Sequence, residues 1–97
     1  MKKRRKQKTP KQLERHFRGI SNHYRIAILL YIHNHTATTL DDLARSLKGN
    51  TKTISEHTHR LVHAGLLNKH YQGQKVIHTL SPYGKKFVHF INIFSYS

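Results

Sequence analysis

The sequence contains no cysteine and only four acidic residues among its 97. The absence of cysteine excludes disulfide bonds and thiol chemistry. With so few carboxylates, no glycine-rich phosphate loop and no supported Ser-His-Asp arrangement, the sequence holds no recognisable catalytic constellation. We therefore predict that the chain is not an enzyme and that it uses no cofactor.

Long hydrophobic runs are also missing. The longest, residues 26–32, has seven residues, whereas a helix that spans a membrane needs roughly 20. No apolar stretch follows the basic N-terminus, which argues against a secretory signal. We predict no membrane partner and a cytoplasmic location at the nucleoid.

Positive charge, by contrast, is abundant. The chain carries 18 Lys and Arg residues and a net charge of +14, far more than solubility requires. A phosphate-rich partner is the simplest explanation, and we predict double-stranded DNA. Residues 1–9 hold six of these cations and are predicted to form a disordered basic arm. A solubilising tail would have the same charge, but the arm supplies four candidate DNA contacts: Lys2, Lys3, Arg4 and Arg5.

A helix-turn-helix pattern occupies residues 39–65. Leu40, Leu43 and Leu47 lie on one side of a short helix, and Thr39 with Asp42 forms an N-capping pattern in front of it. A Lys-Gly-Asn turn follows. Its glycine allows a tight bend, and its asparagine can cap a second helix that runs to about residue 65.

The second helix has two distinct faces. Ile54, Thr58 and Leu61 form its inward side. The outward side and its flanks carry polar side chains that can contact base edges and phosphates in a major groove. These residues are Lys52, Thr53, Ser55, Glu56, His59, Arg60 and His63. A solvated face with a Glu56–Arg60 ion pair is the alternative, and the short helix in front favours recognition.

Ten histidines raise the further alternative of a metal site. His59 and His63 are four residues apart on one helix face, a spacing that can bind a transition metal. That face is also the one predicted to meet DNA, and Glu56 is the only carboxylate nearby. We therefore predict no functional metal site and interpret the histidines as polar or DNA-contacting residues.

Two strand-like runs follow, at residues 66–71 and 75–80, joined by a Gln-Gly-Gln turn. Lys69, His70 and Lys75 make this hairpin basic. An ordinary edge hairpin could use the same residues. The position directly after a recognition helix favours a wing, and we assign residues 66–80 to it.

Two more helices are predicted before the helix-turn-helix. The first begins at Pro10, carries Leu13, Phe17 and Ile20 on one side, and ends near Gly19. The second is capped by the Ser-Asn pair at 21–22, extends to residue 34 and is buried on most sides. Residues 33–38 are interpreted as a polar connection.

A final helix is predicted at residues 82–94. Its apolar positions are Phe87, Phe90, Ile91 and Phe94, with Ile93 off that stripe. This is more apolar surface than one small core covers, so a second subunit is expected to cover the rest. Residues 10–97 are thus predicted to form a single domain that dimerises.

Three segments resemble ArsR-type winged-helix transcriptional regulators. Residues 25–29 (RIAIL) are similar to R-x-x-I-L, and residues 54–67 (ISEHTHRLVHAGLL) to V-S-x-H-L-x-x-L-x-x-A-G-L-[IV]. Residues 80–84 (LSPYG) are similar to the L-T-x-x-G of ArsR, MarR and related groups. The resemblance covers about residues 18–94. It implies a dimer interface built from the first and last helices, for which the candidates are Leu13, Phe17, Phe90, Ile91 and Phe94.

The sequence departs from this family at two points. Thr58 stands where the family has a core leucine, which predicts looser packing or a slight rotation of the recognition helix. The lack of cysteine excludes the Cys-x-Cys metal-sensing site of many family members.

The predicted fold is mainly α with a small β-hairpin wing, a winged helix-turn-helix. The predicted function is sequence-specific DNA binding by a homodimer that regulates transcription, as a repressor that occupies its operator. A non-specific chromosome-coating or RNA-binding module and a winged-helix protein-interaction module are the alternatives. The sequence identifies no small-molecule effector.

Overall fold

The computed structural model describes residues 6–35 and 38–96, which form five helices and a three-stranded sheet. The elements are α1 (Pro10–Ile20), α2 (His23–Asn34), β1 (Thr38–Thr39), α3 (Leu40–Ser46), α4 (Thr51–His63), β2 (Leu67–Gln72), β3 (Lys75–Leu80) and α5 (Pro82–Ser95). All five predicted helices and the predicted hairpin are confirmed. None of the helices in these residues has the length and hydrophobicity that a membrane crossing requires.

Polar side chains fix where the helices begin. Thr39 and Asp42 form a reciprocal capping box on α3, with bonds of 3.1 Å and 2.9 Å, as the sequence predicts. Asn50 accepts from the backbone N–H of Lys52 at 2.8 Å and so caps α4. Thr9, which the sequence analysis assigned to the arm, caps α1. The cap of α1 therefore lies in the segment that was assigned to the arm.

The sheet has the order β1-β3-β2 and is antiparallel throughout. The β2–β3 pairing sets Lys69 opposite His78, and Gly73, with a φ of 64°, provides the left-handed turn at the hairpin tip. The sequence analysis missed β1, whose Thr38 also pairs with His78. Two residues are too few to show an alternating pattern, and only the pairing with β3 makes them a strand.

The hydrophobic core lies around α2. Ile28 and Leu29 are fully buried, and Ile32 is nearly so, which confirms that α2 is enclosed on most sides. The other fully buried apolar side chains come from α3, α4, the start of the hairpin and α5, and they include Leu43, Leu61, Leu66 and Val88. The helix-turn-helix and the hairpin are thus held on one common core.

α1 packs on the C-terminal end of α4 through small and polar residues. Gly19 lies in the last turn of α1, which ends at Ile20 as predicted, and it packs against Ala64. A Cβ at Gly19 would overlap the Cβ of Ala64. His16 is buried beside this contact, and its Nδ1 donates to the Ala64 carbonyl at 2.7 Å. The close approach of the two backbones explains why a glycine is needed here.

The hairpin is tied to α5 by Ser81. Its hydroxyl donates to the Gly65 carbonyl at 2.6 Å and accepts from the backbone N–H of Gly84 at 2.9 Å. Gly84 passes so close to the Leu66 carbonyl that a Cβ would overlap it. This junction fixes the start of α5 relative to the end of α4.

Candidate nucleic-acid interface

α4 presents one polar face to solvent. Ile54, Thr58 and Leu61 are 2%, 3% and 0% exposed and point into the core. The outward residues that the sequence analysis selected are all exposed: Lys52, Thr53, Ser55, Glu56, His59, Arg60 and His63. The buried and the exposed sides of α4 are therefore the ones that the sequence predicts.

The threonine in place of a core leucine is buried, and its hydroxyl is hydrogen-bonded within α4. The Thr58 hydroxyl donates to the Ser55 carbonyl at 2.9 Å, one turn back along the helix. This bond satisfies a polar group that would otherwise be costly to bury. Thr58 thus lies on the buried side of α4 with its hydroxyl satisfied.

The cations of this face have no acidic partners within the described residues. The ion pairs found there are Arg18–Glu14 at 3.0 Å on α1 and Arg45–Asp42 at 3.5 Å on α3. The Glu56–Arg60 pair considered in the sequence analysis is not formed. Arg60 is therefore free to meet an external anion.

The hairpin extends this basic surface. Lys69, His70 and Lys75 are all exposed, as expected for a wing. The Lys69 ammonium lies 5.4 Å from the ring centroid of Tyr71, a side chain that is 72% exposed. The sequence analysis did not select Tyr71, although its alternation with Lys69 along β2 places both on the same side of the strand.

A cleft of about 700 Å³ runs along α4 toward α1, α2 and the hairpin. We call it the α4 cleft. Six of its lining residues were predicted from the sequence, namely Ser55, Glu56, His59, Arg60, His63 and Lys69. The remaining charged residues of the cleft, which the sequence analysis missed as site residues, are Arg15, Arg18 and Arg25. Arg15 and Arg18 lie on α1 and Arg25 lies on α2, and only the packing of these helices beside α4 brings them to the cleft.

Buried positive groups around the cleft have lowered pKa values. Burial, and then the charge of Arg60, lowers the pKa of Arg25. Burial, and then Arg25, lowers the pKa of His57, whose ring stacks on Tyr24 at a centroid distance of 5.6 Å. Burial, with Lys69 and His70 beside it, lowers the pKa of His78. In each case burial is the larger cause, and the neighbouring cations disfavour the protonated form further.

The histidines do not assemble into a cluster typical of a metal centre. His59 and His63 face each other with ring centroids 5.9 Å apart. Within residues 6–35 and 38–96, no group of three or more His, Cys, Asp or Glu side chains could hold a metal ion. Coordination by two histidines alone would leave a transition metal short of protein ligands.

A second exposed surface is apolar and lies on α1 and α5. Phe17 packs edge-on against Phe87 at a centroid distance of 5.4 Å, so the two helices are adjacent. The candidate interface residues Leu13, Phe17, Phe90 and Phe94 are 40%, 51%, 53% and 69% exposed. Ile91 is half-buried against the core. Ile93, which the sequence analysis left out of the interface, is 62% exposed beside them.

Solved structures of other proteins share this architecture. HlyU from Vibrio cholerae is 20% identical, with a TM-score of 0.82 over 95% of this chain and 100% of that chain. The fold is a winged helix-turn-helix. No protein-family model and no curated protein matches the sequence. In this winged helix-turn-helix, α3 and α4 are the helix-turn-helix, and β2 and β3 are the wing.

Two other winged helix-turn-helix proteins are similar at a comparable level. Mb0332 from Mycobacterium bovis is described as a homodimeric DNA-binding domain and a possible ArsR-family regulator. It is 16% identical, with a TM-score of 0.80 over 88% of this chain and 79% of that one. MepR from Staphylococcus aureus, a regulator of a multidrug efflux pump, is 21% identical, with a TM-score of 0.71 over 87% and 67%. A MepR variant is bound to an oligodeoxyribonucleotide.

Proposed function

We propose that this protein is a transcriptional regulator that binds double-stranded DNA in a sequence-specific manner. The observation that carries the proposal is the outward face of α4. Within the described part of the chain, its Lys52 and Arg60 form no ion pair, and neither do the cations of the neighbouring wing. Unpaired cations on a helix that fits the major groove are suited to phosphates and guanine edges. The structurally similar proteins named above, HlyU, Mb0332 and MepR, are described as regulators, and this supports the proposal.

The proposed contacts are divided among three parts of the chain. Ser55 and His59, which we place nearest the centre of the groove contact, read base edges, while Lys52 and Arg60 reach a guanine edge or a phosphate. Thr53 and Glu56 flank them, and the wing residues Lys69, His70 and Lys75 hold the adjacent backbone. The N-terminal basic segment, with Lys2, Lys3, Arg4 and Arg5 outside the described residues, adds attraction that is independent of sequence.

We propose that the functional unit is a homodimer joined through the apolar surface of α1 and α5. Phe17, Phe90, Ile93 and Phe94 are each more than half exposed on it, and large exposed apolar patches commonly mark an interface. A two-fold dimer would present two copies of α4 to half-sites that are one helical turn, roughly 34–36 Å, apart. Residues 10–97 would act as one domain of this dimer, following a basic arm at residues 1–9.

The proposed action is binding without catalysis. Occupancy of an operator would exclude other proteins from the same DNA, which makes repression the expected outcome. This role places the protein in the cytoplasm, at the nucleoid. It requires neither a cofactor nor a resident metal.

Selection of binding sites from random duplexes, followed by footprinting, tests the proposal. A regulator is expected to prefer its selected site over random DNA by roughly a thousandfold or more at physiological salt. A chromosome-coating protein would show no such preference, and an RNA-binding module would prefer RNA. Failure to bind any duplex at low salt would favour a protein-interaction module instead.

Substitutions on α4 identify the reading residues. Ser55→Ala and His59→Ala are each expected to cost about 1–3 kcal/mol at one base position and to relax specificity there. Arg60→Ala should change preference less. His89→Ala, at an exposed position of α5, is the control and should leave preference intact. If substitutions at Ser55, His59 and Arg60 all leave affinity and preference unchanged, α4 is not the reading helix.

A further inference from the structure

Arg25, near the start of α2, is a cation without a partner at the wall of the α4 cleft. Its Nε is buried and has no hydrogen-bond partner within the described part of the chain. The side chain lines the cleft together with Arg60. Neither arginine takes part in the ion pairs of the described residues. A partly buried guanidinium without an acceptor is costly, so an external acceptor is expected.

The surroundings of Arg25 increase this cost. Arg60 lies close enough to lower the pKa of Arg25, and His57 is positioned so that Arg25 lowers its pKa in turn. His23 and Arg60 act on His57 in the same direction, and Glu56 alone opposes them. Glu56 is exposed and makes no ion pair with Arg60. It therefore does not neutralise the positive charges of the Arg25 and Arg60 guanidinium groups.

Two guanidinium groups that line the same cleft fit a phosphate. Arginine forms paired, charge-assisted hydrogen bonds with phosphate oxygens, and one anion can accept from two arginines at once. An anion between Arg25 and Arg60 would turn their mutual repulsion into two attractions. The shared chemistry is that of a phosphate oxyanion, supplied either by a DNA backbone or by a free phosphate.

The position in the cleft favours the DNA backbone as the source. The same cleft is lined by Ser55 and His59, which belong to the outward face of α4. A major groove that is about 12 Å wide holds a helix with a sugar-phosphate strand along each flank. Arg25 reaches this flank from α2, outside the helix-turn-helix.

We propose that Arg25 and Arg60 form a clamp for one backbone phosphate of the duplex that α4 reads. This inference rests on the proposed function and adds α2 to the DNA-binding surface. Arg25 is then a contact that fixes the register of α4 in the groove, and it carries no base preference of its own.

The first test compares Arg25→Gln with Lys85→Gln on the selected operator, by fluorescence anisotropy at several salt concentrations. Both variants lose one positive charge, and Lys85 is exposed on α5, away from the cleft lining. Arg25→Gln is expected to weaken binding about tenfold or more and to make the slope of log K against log salt shallower by roughly one unit. Lys85→Gln should change affinity less than about twofold. Base preference should be retained in both variants.

The second test locates the phosphate. Single neutral methylphosphonates are placed along each strand of the operator, and one position near the flank of α4 is expected to weaken binding of the parent protein. The same substitution should have little further effect on Arg25→Gln, because that variant has already lost the contact. Equal sensitivity of the two proteins at every position would overturn the clamp.

Two controls separate the remaining outcomes. Arg25→Gln is expected to melt no lower than the parent, since it removes an unpaired charge beside a like charge. A clear fall in Tm would indicate a structural role for Arg25 instead.

In the other control, inorganic phosphate is titrated at constant ionic strength. Saturable binding that Arg25→Gln abolishes, without loss of duplex affinity, would assign the site to a free anion. If the parent protein selects no duplex, the proposed function fails. If the parent selects a duplex and Arg25→Gln binds it as well as Lys85→Gln does, the clamp alone fails.

Discussion

Substitution of Gly19 by alanine tests how α1 is held on α4. The added methyl would overlap the Cβ of Ala64, while the next nearest atoms, the Ala64 Cα and the Arg60 carbonyl oxygen, would lie at 3.7 Å and 3.8 Å. The overlap thus involves one methyl against another, and neither can rotate away because each is fixed to a backbone. α1 must move outward, and this movement would stretch the 2.7 Å bond from His16 to the Ala64 carbonyl.

Two opposing effects set the magnitude. Overpacking of a tight contact costs typically about 1–3 kcal/mol, and the weakening of a buried hydrogen bond adds roughly 1 kcal/mol. Alanine is favoured over glycine within a helix by about 0.8–1 kcal/mol, which offsets part of this cost. The net loss for Gly19→Ala is therefore about 1–3 kcal/mol. At this chain length, that corresponds to a fall in Tm of roughly 4–24 °C.

Urea unfolding at a fixed protein concentration measures this loss, since dimerisation would make stability depend on concentration. The matched control is a double-mutant cycle with Ala64→Gly, which removes the opposing methyl. In the Ala64→Gly background, Gly19→Ala should be neutral or stabilising, with a coupling energy of about 1–3 kcal/mol. If Gly19→Ala is as stable as the parent and the two substitutions are additive, the close packing described here is wrong.

Three further results are expected. Phe90→Asp combined with Ile93→Asp places charges at positions whose side chains are 53% and 62% exposed, so the protomer should stay folded. Sedimentation should shift from dimer to monomer. A parent protein that sediments as a monomer at tens of micromolar would contradict the proposed interface. Deletion of residues 2–8 removes six cations, so it should lower the affinity for all duplexes. The slope of log K against log salt should become shallower by up to roughly five units, and base preference should be retained. Loss of base preference would show that this segment reads DNA. Burial holds the pKa of His78 below its ordinary 6.5, so the folded state binds fewer protons and loses stability as pH falls below that value. The fall in Tm between pH 7.5 and 5.5 should be smaller in His78→Gln, and equal falls would refute the role of His78.

Local signals in the sequence determined the helices and the hairpin. The capping pair Thr39–Asp42 and the cap Asn50 place the starts of α3 and α4 where the structure has them, because a cap acts on backbone groups only two or three residues away. The apolar spacing of Ile54, Thr58 and Leu61 likewise fixes which face of α4 is outward. These features depend on neighbours in the chain, and a pattern of residues records them.

Tertiary structure alone decided the features that join distant segments. The sequence shows Gly19 as a possible helix end, and only the approach of Ala64 makes it a packing residue. Arg25 belongs to a motif of the buried helix, and only the packing of α2 beside α4 sets it next to Arg60 and into the cleft. His78 lies within β3, and it is buried because β3 pairs with β1 on one side and with β2 on the other. Such contacts depend on how the elements pack in three dimensions, which the spacing of residues along one chain does not encode locally.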